Sequence, residues 1–331
     1  MKRQPYIDIV KGLSIWCIVL LHYENGVFPN SLNVFIGSFM ITAFFVSSGW
    51  VSAMRPSQRS LKELAAKRWR QLGIPYLWWT GIILAFDLLL YVFGYYSPYF
   101  LEREAYKAIM LRGIGTLWFL PALFGGELIW HKLRRCRWWG VTLAFLGTVL
   151  YMHVYSLVFG GLTETIYKII DAPFRTLSNI LMAWTGIAFG YYAYTILGRR
   201  IEHAHPTSLL LSGLFLCTVA WFCATSWPSA IGFLWLYAAP LLGPLGLLLM
   251  AKALQSWSPL SFFDCWGRHS LNLMLTHYSI TLVICDIIVQ KGLLIPFSGS
   301  ITLICFFCSI PAQYFLVLFV NKYALFTLGK S

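Results

Sequence analysis

Apolar residues run through this chain in blocks of roughly 20, joined by short polar stretches, and the blocks mostly lack a polar side at helical spacing. A helix of that length crosses about 30 Å of hydrocarbon. Helices of water-soluble domains instead turn a polar face outward every 3.6 residues. The pattern predicts ten spans, at residues 7–25, 31–54, 71–95, 113–131, 138–156, 176–197, 207–226, 230–254, 269–290 and 298–321. Spans and short loops use up the sequence, which shows no soluble domain, low-complexity stretch or internal repeat. The expected fold is therefore all-α: a polytopic helical membrane protein with one domain over residues 1–331.

Composition agrees. Of 331 residues 59% are hydrophobic, 18% aromatic and 11% charged, against about 25% charged in ordinary soluble domains. A net charge of +13 raises nucleic acid as a partner, but its distribution points elsewhere. With the N-terminus in the cytoplasm, Arg103, Lys107, Arg112, Lys168, Arg175 and Lys291 fall in outer loops and Lys11 lies inside the first span. The other 18 of the 25 lysines and arginines, Lys2 among them, fall on the cytoplasmic side. That asymmetry fits the positive-inside rule with both termini cytoplasmic. The bilayer is the expected partner, nucleic acid is not, and oligomeric state is unreadable. Asp8 and Lys11 interrupt the first apolar run and no small-residue cleavage site follows, so it reads as a retained span. The eight cysteines lie mainly in apolar stretches at irregular spacing. Even Cys305 and Cys308, a formal CxxC, read as packing residues. His203 and His205 sit in a turn before Pro206 without further ligands, so no metal site is expected.

Ionisable side chains inside spans are costly and usually functional. Lys11 and His22 are eleven residues apart, which on a helix is about 20° past three turns and a rise of roughly 16 Å. One face thus carries a cation near the cytoplasmic end and an imidazole near the outer end. Lipid cannot lie against that face. It lines either a site or a bundle interior in which Lys11 pairs with Asp8, one turn earlier. Glu127 lies at a depth where it could meet Lys11, as a structural ion pair or as a catalytic group. Asp87 and Asp286 line a polar cavity or lie near the surface. In RHSLNLMLTHYS, Arg268, Asn272, Thr276 and Ser279 step by four, four and three along one face, with His277 and Ser270 beside it. Such a stripe faces other helices or water. Lys67, Arg68 and Arg70 precede a span. They follow the positive-inside rule, and their charges also suit phosphate oxygens. Trp118, Trp78 and Trp79 stack on sugar faces or anchor the interface.

Five blocks in order resemble the acyltransferase-3 family of integral-membrane acyltransferases, over essentially the whole chain. YIDIVKGLSIWCIVLLH resembles its first helix, with Lys11 and His22 as the basic residue and histidine separated by ten positions. SFMITAFFVSSGWV resembles the second, Ser48 and Gly49 matching its Ser-Gly. AAKRWRQLGIPYLWW, TLWFLPALF and GRHSLNLMLTH resemble the later blocks, the last ending at His277. Phe39, Met40, Ile41 and Thr42 depart from the Phe-His-Met-Pro often found there, which suggests a different acceptor. The sequence shows no fused extracytoplasmic domain such as many relatives carry, which implies transfer directly to the final acceptor.

The resemblance implies an acyl-CoA, foremost acetyl-CoA, as donor, and a hydroxyl of a sugar in a cell-surface polysaccharide or lipid-linked glycan as acceptor. The bacterial cytoplasmic membrane is the implied location. His22 is then the expected general base, Lys11 extends a positive path toward the thioester, and Lys67, Arg68 and Arg70 hold the CoA phosphates. His277, Asn272 or Ser48 would orient His22 or stabilise the oxyanion. Direct transfer and an acyl-histidine intermediate both stay open. The rival class is a secondary transporter or flippase, which also uses intramembrane charges but commonly shows repeated halves.

Overall fold

Fifteen α-helices and no strand occur among the described residues. The computed structural model describes residues 3–24, 26–55, 59–160, 165–225 and 232–330, without the side chains of 165–168 and 232–236. Lys2, the Lys168 side chain and the predicted span ends at 25, 226 and 230–231 lie outside the described residues. The helices are α1 (Pro5–Tyr23), α2 (Asn30–Phe39), α3 (Thr42–Met54), α4 (Leu61–Arg68), α5 (Ile74–Val92), α6 (Pro98–Ile109), α7 (Phe119–Leu133), α8 (Trp138–Phe159), α9 (Thr165–His203), α10 (Pro206–Thr225), α11 (Gly232–Leu254), α12 (Ser261–Arg268), α13 (Ser270–Thr276), α14 (Val283–Ile287) and α15 (Ser300–Tyr323).

Among the described residues nine helical stretches are long and apolar enough to cross a membrane. The predicted span at 113–131 is not one of them. Leu111, Gly113 and Gly115 take positive φ angles of 55°, 71° and 53°, so the backbone turns there and α7 starts only at Phe119. Its 15 residues rise about 22 Å, short of the hydrocarbon thickness. The predicted third span is prefaced by a π-helical turn, Trp69–Gly73, in which the Ile74 N–H reaches back to the Trp69 carbonyl. Pro75 explains it: proline brings no N–H and its ring crowds the carbonyl four residues back, which a widened turn relieves. α4 starts on a capping box, the Ser60 hydroxyl accepting from the Glu63 N–H and the Glu63 carboxylate from the Ser60 N–H.

The chain forms two compact units. The first holds Met1–Ser57, Gly186–His277 and Thr281–Phe315. Here α1 packs on α12, α11 and α3, and α11 on α10. Close backbone approach at glycine organises it. A Cβ on Gly12 would lie 1.9 Å from the Phe263 carbonyl oxygen, and one on Gly267 would lie 1.8 Å from that of Asp8. Gly49 and Gly190 make the same reciprocal fit between α3 and α9. Small residues allow such approach where no hydrophobic effect presses helices together. Trp16 fills the α1–α12 seam edge-on to Trp266, and Trp50 donates to the Tyr6 hydroxyl at 2.9 Å. Pro240 and Pro244 interrupt the ladder of α11; the Thr42 hydroxyl donates to the Pro240 carbonyl at 2.6 Å, which satisfies a group that lipid would leave bare.

The second unit holds Gln58–Thr185, Tyr278–Ile280 and Leu316–Ser331. In it α4 packs on α7 and α5 on α6. The buried Trp184 indole donates to the Thr148 hydroxyl at 3.0 Å, and Tyr76 donates to the Ala108 carbonyl at 2.7 Å.

Candidate active site

α1 is unbroken from Pro5 to Tyr23, so the shared face of Lys11 and His22 holds as predicted. In the same unit, α13 brings a second histidine to the first. His22 Nδ1 and His277 Nε2 lie 3.3 Å apart, with ring centroids 5.2 Å apart. His277 is fully buried, and its Nδ1 is 2.6 Å from the Leu273 carbonyl oxygen one turn back. The His22 ring, partly buried, also donates to the Ile18 carbonyl.

Beside the pair runs a neutral polar network. The Thr276 hydroxyl lies between the Asn272 carbonyl at 2.9 Å and the Gln313 amide oxygen at 2.8 Å, and Gln313 Nε2 donates to Thr281 at 2.6 Å. Thr276, Gln313 and Asn272 are all buried. Gln313 and Thr281 were missed in the sequence, although Gln313 is an amide in the middle of the apolar run of α15. Ser48, on α3, is partly buried.

The predicted single stripe from Arg268 to Ser279 is broken twice. α12 ends at Arg268, and His269, at φ −107° and ψ 13°, separates it from α13. A π-helical turn, His277–Leu282, then shifts the register. Asn272 and Thr276 stay together; Arg268 instead ion-pairs with Asp264 at 3.2 Å. The cause is local: a π turn inserts an extra residue, so steps of three and four no longer return to one side. Asp8, offered as a partner for Lys11, accepts from Arg3, whose Nε and Nη2 donate to it at 2.8 and 2.7 Å.

The second unit carries the charged cluster. Arg68 Nε is ion-paired with Glu127 Oε2, a partner that the sequence reading did not name. This follows from α4 packing on α7. Arg68 also donates to Gln71 at 2.7 Å. Lys67 is partly buried, in the field of Arg59, Arg68 and Glu127, and Arg70 is exposed. Arg135 donates to the Arg59 carbonyl at 3.3 Å, and Arg134 lies 3.2 Å from His131 Nδ1. Arg59, Arg134 and Arg135 thus extend a basic surface that the sequence reading confined to three residues. Trp118 caps the start of α7 against Phe119, Trp78 packs edge-on against Phe326, and Trp79 is buried. Asp87 is 3% exposed, and its Oδ2 has no hydrogen-bond partner among the described residues. Asp286 accepts from Gln290. No group of three His, Cys, Asp or Glu side chains is placed to hold a metal among the described residues.

The nine membrane-length helical stretches among the described residues define a multi-pass membrane protein, and one of its units brings His22 and His277 together. Residues 4–327 match the model of the acyltransferase-3 family, described as an acyltransferase domain, and the chain belongs to that family. It is a membrane acyltransferase, and its reaction has an acyl donor. No curated protein and no solved structure matches the chain.

Proposed function

We propose that the protein is an O-acetyltransferase of the bacterial cytoplasmic membrane. It moves the acetyl group of acetyl-CoA to a hydroxyl of a sugar in a cell-surface polysaccharide or lipid-linked glycan. The observation that supports this most is the His22–His277 pair at 3.3 Å, on the helix face that also carries Lys11. Neutral imidazole is the common state near pH 7. His22 takes the proton of the acceptor hydroxyl as its oxygen attacks the thioester carbonyl. The C–S bond breaks, and the imidazolium returns the proton to the CoA thiolate, giving ester and free thiol. Such proton transfer is typically worth 10²–10⁴-fold in rate. Lys11 contributes positive charge on the donor side. Of the basic residues, Arg68 is engaged by Glu127, so Lys67 and Arg70 carry most of the recognition of CoA phosphates. Asn272 and Ser48 are the polar groups of the histidine-bearing unit assigned to the oxyanion, and Trp118 to a sugar face.

The test uses purified protein in lipid with radiolabelled acetyl-CoA and extracted glycans, wild type beside His22→Ala. Alkali-labile label on sugar is expected from the wild type, with a loss of at least about 10²-fold in the variant. Normal transfer by a well-folded His22→Ala protein would remove His22 from the mechanism. Label from neither, together with no CoA binding by calorimetry, would overturn the O-acetyltransferase reading.

A further inference from the structure

We propose that His277 is a positioning residue that sets the tautomer of His22, holding its hydrogen on Nδ1 and leaving Nε2 as the basic nitrogen. A carbonyl oxygen only accepts, so the 2.6 Å contact from His277 Nδ1 to Leu273 O requires a hydrogen on Nδ1. His277 is fully buried, and a charge at such a place would be stripped of water, so the ring is neutral. A neutral ring protonated on Nδ1 carries a lone pair on Nε2. That lone pair faces His22 Nδ1 at 3.3 Å, so His22 supplies the hydrogen from Nδ1 and its Nε2 is unprotonated.

The His22 ring also bonds the carbonyl of Ile18, four residues back on its own helix. Orientation is built in further along. His277 opens the π-helical turn, its neighbour Thr276 is tied to Gln313, and Thr281 closes the turn by donating to the Thr276 carbonyl at 3.3 Å. The order of transfer is carbonyl, His277, His22, with no net charge at any station.

The functional consequence rests on His22 being the base, but the tautomer is read without any reaction. Protein labelled with ¹⁵N-histidine in nanodiscs is compared with His22→Ala to assign the His22 signals. In the wild type, His22 Nδ1 is expected to resonate as a protonated nitrogen and Nε2 as an unprotonated one. His277→Gln, whose side-chain oxygen can accept in place of Nε2, is expected to keep that pattern. His277→Phe is expected to lose it, with a fall in kcat of at least about tenfold and little change in KM for acetyl-CoA. A His22 protonated on Nε2 in the wild type overturns the proposal, and that spectrum needs no variant to fold. An unchanged tautomer in His277→Phe overturns it as well. The expected tautomer together with full transfer by His22→Ala would leave the positioning intact and discard the base.

Discussion

Replacing Gly49 by alanine sets two effects of opposite sign against each other. Alanine is favoured over glycine in a helix interior by about 0.8–1.0 kcal/mol. At position 49, however, the new Cβ would lie 1.9 Å from the Ile187 carbonyl oxygen and 2.9 Å from the Tyr191 nitrogen. Ordinary contact starts at 3.4 Å, so α3 and α9 must separate by about 1.5 Å. The obstacle is backbone, which has no rotamer to yield. Overpacking of this kind costs typically 1–3 kcal/mol and occasionally more, and a gap of 0.5–1 Å elsewhere in the seam forfeits a quarter to a half of each dispersion well. The clash therefore outweighs propensity, with a net loss of about 2 kcal/mol. By the usual scaling that lowers the unfolding midpoint by about 4–8 °C. The assay is heating in detergent with a thiol-reactive fluorophore, which reports the buried free thiols Cys223 and Cys305 as they become accessible. Gly147→Ala is the control, since nothing lies within 4 Å of its Cβ, and it should be neutral or stabilising. Gly190→Ala meets the Val46 carbonyl across the same seam, at 2.0 Å. Once one alanine has parted the helices the second costs less, so the double variant should lose less than the sum. A midpoint for Gly49→Ala at or above wild type would refute the backbone-approach account.

Arg68→Ala leaves the buried Glu127 without its guanidinium. Breaking a buried pair costs about 3–5 kcal/mol, and with Arg68 28% exposed the lower end, about 3 kcal/mol, is expected. Lys67→Ala with Arg70→Ala should instead keep the midpoint and raise the KM for acetyl-CoA; an unchanged KM would assign both residues to topology alone. Glu24, just beyond the end of α1, accepts from the Phe28 and Val27 N–H groups and from Asn33, and these bonds, Phe28 foremost, hold its carboxyl below the usual range. A depressed folded-state value means stability fully present above the ordinary carboxyl value of 4.5 and lost as pH falls through the folded one. The midpoint difference between wild type and Glu24→Gln, followed by tryptophan fluorescence, should thus be constant at neutral pH and shrink in acid. A difference that grows in acid would contradict the cap.

What the sequence disclosed follows from which forces are local. The Lys11–His22 face was legible because α1 is regular, and a regular helix converts spacing into direction without further knowledge. The span at 113–131 was misread because hydropathy registers solvation and is blind to the left-handed backbone at Leu111, Gly113 and Gly115. The stripe from Arg268 to Ser279 failed for a related reason. Counting at 3.6 residues assumes an unbroken ladder, and the break at His269 and the π turn from His277 each reset the count. Gly49 was visible as part of a Ser-Gly pair, but its reason is a carbonyl contributed by residue 187, which no local pattern contains. The meeting of His22 with His277 is of the same kind, a contact across 255 positions. Gln313 and Thr281 went unnoticed because a lone amide or hydroxyl is cheap enough in a span to pass as ordinary.

The way His277 is held also explains why its surroundings carry so little charge. In the serine-hydrolase arrangement a buried carboxylate orients the histidine and stabilises its cation. Here the His277 ring meets the Leu273 carbonyl and the His22 ring. A carbonyl fixes the tautomer as firmly as a carboxylate does, because it too can only accept, yet it brings no ion that must be desolvated in a hydrocarbon setting. The cost is weaker stabilisation of an imidazolium, which suits a base that must surrender its proton again to the departing thiolate. The neighbours obey the same economy: Asn272, Thr276, Thr281 and Gln313 are neutral, and their donors and acceptors meet one another. The second unit carries the Arg68–Glu127 ion pair and an exposed basic surface. Placing an aspartate at position 313 is therefore expected to damage the histidine-bearing unit rather than to improve the base. It would introduce a buried ion where only an amide now joins Thr276 to Thr281.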